Sequence, residues 1–92
     1  MAFIEVIEPE QAQGVLKEIY EGVVSSRGKI AGIHKIQSLH PQHIKAHMDF
    51  YMSVMFSASP LSRAEREMMA VTVSTRNGCR YCQEHHAQAL NY

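Results

Sequence analysis

Two cysteines and a histidine near one end of the chain carry its clearest chemical signal. Cys79 and Cys82 stand at CxxC spacing, and His86 follows four residues later. On a helix turning about 100° per residue, the three side chains fall within roughly 60° of one another. Residues three or four apart are neighbours on a helix surface. The spacing suits a disulfide, whose Cα atoms lie about 4.4–6.8 Å apart. Asn77-Gly78 is a helix-stop signal, which puts Cys79 at the start of the next helix. Free backbone N–H groups and the positive end of the helix dipole favour a thiolate there. A thiolate is the species that attacks peroxides and disulfides. Cys82, with His86 one turn on, has a base able to take its proton. Position and partner therefore favour different sulfurs.

A fourth residue joins from the preceding helix. Glu67 falls on the same stripe as Ala64, Met68, Val71 and Thr75, and a carboxylate on an apolar face needs a partner or a role. A short connection makes the two helices neighbours, so Glu67 is expected to face the CxxC and His86. A carboxyl, two thiols and an imidazole form a proton-relay set. Each residue alone has a plainer reading. Glu67 fits an ordinary pairing with Arg63 or Arg66, His86 an ordinary surface or core histidine, and Tyr81 simple packing. The CxxC alone also fits half of a metal site, but His85 points away from the cysteine face and no second CxxC exists to complete four ligands. The quartet is read as redox chemistry that needs no metal and no cofactor.

These residues must be positioned by a small chain. Its 92 residues fit one domain, with 46% hydrophobic and 20% charged residues, an ordinary globular balance. Nine basic residues cancel nine acidic ones, which gives no basic field for nucleic acid or a membrane surface. No apolar run approaches the roughly 20 residues that span a bilayer, and Met1-Ala2-Phe3-Ile4-Glu5 lacks the form of a secretory leader. A cytoplasmic location is expected, where a cysteine pair points to redox chemistry rather than a structural staple. Six methionines suit an adaptable helical core or a subunit interface.

Five helices are expected after an extended arm at residues 1–8. Pro9 opens the first, with the stripe Ala12, Val15, Leu16, Ile19 and Val23 and a stop near Gly28. Ile30, Ile33, Ile36 and Leu39 suggest a second, ended by His40-Pro41. A third begins at Pro41, with Ile44, Met48, Tyr51, Met52 and Met55 on its stripe. Phe50, Val54 and Phe56 predict burial of more than one face. Ser62 with Glu65 three residues later is a capping-box pattern, opening a fourth helix over about 63–75. The fifth runs from about Cys79 to the chain end. No strand is expected beyond the arm.

The run from Met55 to Met68, leading into Asn77-Gly78-Cys79-Arg80-Tyr81-Cys82-Gln83-Glu84-His85-His86, resembles the peroxidase-related branch of the alkylhydroperoxidase D-like, carboxymuconolactone decarboxylase superfamily. Its pattern is a Glu, eleven residues, Cys-x-x-Cys, three residues, His, here Glu67, Cys79, Cys82 and His86. The resemblance implies an all-helical fold completed as a dimer, trimer or hexamer. It also implies a thiol site that reduces hydrogen peroxide or organic hydroperoxides. Cys82 would attack, Cys79 would resolve and then exchange with an external dithiol reductant, and Glu67 and His86 would relay protons. The decarboxylase side of the superfamily generally lacks the CxxC, so the cysteines argue against that reaction. Tyr81 stands where the founding members have His. Members of this branch are about twice as long, so the chain corresponds to the N-terminal half and core motif of a longer family chain. A thiol–disulfide exchange or redox-sensing module without peroxidase turnover is the alternative.

Overall fold

The computed structural model describes residues 2–90. Five α-helices follow one another: α1 (Gly14–Arg27), α2 (Gly32–Lys35), α3 (Pro41–Phe56), α4 (Arg63–Asn77) and α5 (Arg80–Ala89). No strand occurs among the described residues, so the fold is all-α. None of these helices is long and apolar enough to cross a membrane. The chain forms two compact units, Met1–Phe50 and Tyr51–Tyr92.

In the first unit, Pro9 opens only a 3-10 turn, Pro9–Gln11. Ala12 and Gln13 then stay extended, and α1 starts at Gly14, later than the proline signal predicts. The helix ends as expected, with Gly28 left-handed at φ 85° and its N–H bonded to Val24 O. Ala12, Leu16, Tyr20, Val23 and Ile44 form the core. Val15 is exposed instead, and Tyr20 takes its place. An apolar body with a polar tip suits Tyr20 for this position. Its hydroxyl donates to Ile7 O at 2.8 Å, while Ile7 N–H donates to Ser38 Oγ at 2.8 Å. These two bonds pin the N-terminal arm.

The second helix departs from its predicted pattern. It is one turn long, and Ile33, Ile36 and Leu39 are exposed. His34 and Ser38 are buried instead. The reason is polar. His34 Nδ1 accepts from Ala31 N–H at 3.0 Å, and its Nε2 lies 3.0 Å from Met48 Sδ. Hydrogen bonds to the arm and the helix start outweigh the isoleucine stripe.

α3 starts at Pro41 as predicted, and Ile44 and Met55 are buried. Phe50, Val54 and Phe56 are exposed, so the expected second buried face is absent from the chain by itself. In the second unit, Ser62 caps α4: its Oγ accepts from Glu65 N–H at 3.0 Å, and its own N–H donates to Glu65 Oε1 at 2.8 Å. The buried face of α4 is Arg66, Glu67 and Ser74, whereas Ala64, Met68 and Thr75 of the predicted stripe are exposed. Arg66 explains the rotation. Its guanidinium donates to Ser57 O at 2.6 Å and to Leu61 O at 2.9 and 3.2 Å, with Val54 O at 3.4 Å. A cation turned inward onto carbonyls holds the 57–61 turn against α4.

Candidate redox site

The site is built at the junction of α4 and α5, which pack as neighbours. Gly78 ends α4 at φ 70°, where a side chain would be strained. Gly78 N–H bonds Thr75 O at 3.1 Å, and Cys79 N–H bonds Ser74 O at 3.0 Å. This pair of bonds is the Schellman closure. Cys79 is thus the last residue fixed by α4 and also the N-cap of α5. Its Sγ accepts from Cys82 N–H at 3.3 Å, doing the work of a capping oxygen. Gln83 Nε2 donates to Thr75 Oγ1 at 2.9 Å and ties the two helices together.

The two sulfurs are electrostatically unequal. The Cys82 thiol, followed by the Cys82 N–H, donates to Cys79 and pulls its pKa below the ordinary thiol value. The same bond to Cys79, then burial, pushes Cys82 up. Of the two thiols, Cys79 is therefore the one whose ionised form the site favours. Both cysteines are free and partly buried.

Glu67 and His86 meet directly, as their spacing predicted. His86 Nδ1–H donates to Glu67 Oε2 at 2.6 Å, and only 3% of the Glu67 side chain is exposed. In the neutral ring, Nδ1–H held this way leaves the lone pair on Nε2. His86 stands one turn after Cys82 on α5. The other Glu67 oxygen, Oε1, accepts from Arg63 at 2.9 Å. Of the two arginines considered as partners, Arg63 makes the bond, while Arg66 turns to the 57–61 carbonyls. Tyr81 is exposed and stacks on His85, with centroids 5.8 Å apart, and His85 lies edge-on to His86. A cleft of about 350 Å³ lined by Arg63, Ala64, Glu67, Ala89 and Leu90 opens beside the carboxylate.

The structure brings Glu67 to His86 and Cys82 to Cys79, and adds Arg63, to which sequence reasoning assigned no site role. The available signal was its i,i+4 spacing to Glu67, with Phe56 set to stack on it. Chemically, the arrangement offers a thiol whose pKa is lowered, a second thiol beside it, and a buried carboxylate–imidazole pair. Such a set can cycle between dithiol and disulfide while moving a proton.

Comparisons with known proteins agree with this architecture. The crystal structure of an alkylhydroperoxidase AhpD core from Rhodospirillum rubrum has the same fold, with a TM-score of 0.79. The match covers 99% of this chain and 70% of that one at 24% identity. No curated protein matches. The model of the carboxymuconolactone decarboxylase family matches residues 41–91, from the start of α3 through the CxxC helix. That span is more than half of the sequence and contains the whole Glu67–Cys79–Cys82–His86 set, and on it the chain belongs to the carboxymuconolactone decarboxylase family.

Proposed function

We propose that the chain is a thiol-dependent peroxidase that reduces hydrogen peroxide or organic hydroperoxides through a Cys79/Cys82 dithiol–disulfide cycle. The observation that carries the reading is the CxxC pair at the start of α5, with Cys82 N–H on Cys79 Sγ, on the helix that also carries His86 paired to the buried Glu67. Following the resemblance, Cys82 attacks. Its proton passes to His86 Nε2, and the sulfur bonds to the terminal hydroperoxide oxygen as the O–O bond breaks. His86 returns the proton to the departing alkoxide, giving an alcohol, or water from hydrogen peroxide. The Cys79 thiolate then attacks the Cys82 sulfenic acid, and hydroxide leaves as water with a proton from solvent. An external dithiol supplies two electrons and two protons to restore the pair. The working assembly is a homo-oligomer in this proposal.

The test is peroxide-dependent consumption of dithiothreitol, expected in the wild type and lost in Cys82→Ser. In Cys79→Ser, one equivalent of peroxide is expected to leave sulfenic acid on Cys82, read by mass spectrometry. An unoxidised Cys82 in that variant overturns the assignment of attack.

One observation favours a second reading. The lowered pKa belongs to Cys79, the cysteine nearer the helix start. A low-pKa cysteine in that position suits attack on another molecule's disulfide. A thiol–disulfide exchange or redox-sensing module would equilibrate reversibly with glutathione and turn over peroxide negligibly.

A further inference from the structure

A buried histidine closes the first turn of α2. Ala31 is the N-cap and His34 is the third helical residue, the place that Glu or Gln takes in a capping box. His34 Nδ1 accepts from Ala31 N–H at 3.0 Å, and alanine has no side-chain oxygen to return a bond. With Nδ1 accepting, the neutral ring carries its hydrogen on Nε2, which lies 3.0 Å from Met48 Sδ on α3. A Glu or Gln oxygen accepts throughout the physiological pH range, whereas an imidazole Nδ1 accepts only while it is unprotonated. We propose that His34 is a pH-operated latch: a proton on Nδ1 turns the acceptor into a donor facing Ala31 N–H, opens the first turn of α2 and frees the N-terminal arm that this turn holds.

The turn depends on such polar links. α2 spans Gly32–Lys35, too short to stand as a helix by itself. Apolar contact stops just before it: Ile30 packs on the core, while Ile33, Ile36 and Leu39 are exposed. The arm is fastened to this segment twice. Ser38 Oγ accepts from Ile7 N–H at 2.8 Å, and Lys35 Nζ donates to Glu8 Oε1 at 3.1 Å. The core residues Leu16, Tyr20, Val23 and Ile44 lie on α1 and α3, and none lies on α2. An opened α2 therefore releases the arm and leaves the core in place, with Tyr20 as the remaining link to Ile7 O.

The surroundings resist a charge on the closed ring. Arg27 faces it from the end of α1, and His47 faces it from α3 with the rings edge-on and 6.4 Å apart. Neither supplies a negative charge. Burial first, then these two neighbours, hold the closed ring's pKa below 6.5. An opened ring in water takes its proton at about 6.5. One proton bound by the open form alone raises the open population by up to tenfold per pH unit below that value, until the depressed value is reached. Above about 6.5 the latch is fully closed.

Amide hydrogen exchange of the full chain between about pH 7.5 and 5.5, corrected for the intrinsic effect of pH, provides the test. Ile7 and Ala31 are expected to be less protected than Tyr20 and Val23 of α1 at every pH, the mark of a local opening. Their protection should hold down to about pH 6.5 and then fall by up to tenfold per pH unit. His34→Gln keeps an acceptor at the same helix position without a titrating proton, so its Ile7 and Ala31 protection should not change with pH. Wild-type protection there that ignores pH overturns the proposal, and so does an unchanged pH dependence in His34→Gln. Protection equal to that of Tyr20 and Val23 also overturns it, because those amides then open only with the whole unit. If His34→Gln does not fold, nitrogen-15 NMR of the wild-type ring decides. A His34 ring that takes its second proton while the Ala31 and Ile7 amide signals stay unmoved refutes the latch.

Discussion

Replacing Arg66 with methionine should destabilise the second unit strongly, although Arg66 touches no reacting group. Methionine keeps most of the buried stem and removes the guanidinium. Two acceptors lose good bonds: Leu61 O, at 2.9 and 3.2 Å, and Ser57 O, at 2.6 Å. The Val54 contact at 3.4 Å adds little. Hydrogen bonds to a charged donor contribute about 1.5–3 kcal/mol each, a gross loss of about 3–6. Relief from burying a cation and rehydration of the turn carbonyls offset part of this. A net cost of about 2–4 kcal/mol is expected. Against a total of about 5–14 kcal/mol for a chain of this size, that is a large fraction. Urea and thermal unfolding followed by circular dichroism measure it, with a Tm drop of about 10–25 °C. Arg66→Lys should recover less than half, because an ammonium reaches one carbonyl well and not both. A methionine variant within about 0.5 kcal/mol of the wild type refutes the reasoning, since that is the range of an ordinary surface change.

Three further outcomes are expected. Iodoacetamide at neutral pH should label Cys79 before Cys82 in the reduced chain, because their mutual bond lowers the pKa of Cys79 and raises that of Cys82; peptide mapping of partly labelled protein reads the order. Acid should weaken the fold through His34, whose pKa is lowered from 6.5 by burial first, then by His47 and Arg27. The unfolded chain binds the extra proton below about 6.5, so this contribution is complete above that pH and is lost as pH falls toward the depressed value. Its slope is at most about 1.4 kcal/mol per pH unit, and His34→Gln should flatten denaturation curves measured across that window. Gly78→Ala should cost about 1–2 kcal/mol in chemical denaturation. The strain is purely backbone, since nothing lies within 4 Å of the added Cβ.

What the sequence disclosed divides by the range of the forces involved. The Ser62–Glu65 cap, the Gly28 and Gly78 stops and the start of α3 are decided within a few residues, and all were readable. The meeting of Glu67 with His86 was also readable, because two adjacent helices joined at a glycine leave little choice of neighbour. The faces of α2 and α4 were not. His34 is turned inward by Ala31 and Met48, and Arg66 by carbonyls five to twelve residues away. Apolar periodicity carries no record of such polar anchors. Pro9 misled for a related reason: extended Ala12 and Gln13 separate its turn from α1. The expected run of the fifth helix through Asn91 and Tyr92 lies outside the described residues.

The sulfur of Cys79 is a helix cap and, in the proposed cycle, also a reactant, which would couple folding to oxidation. Reduced, it accepts from Cys82 N–H and secures the first turn of α5. Joined in a disulfide, the sulfur becomes a poorer acceptor than a thiol on its way to thiolate. Oxidation then leaves the start of α5 prone to fraying. By thermodynamic linkage, the stability of that turn draws the couple toward the dithiol and makes the disulfide a stronger oxidant. Amide hydrogen exchange at Tyr81 and Cys82 should therefore report redox state, faster in the oxidised chain than in the reduced one.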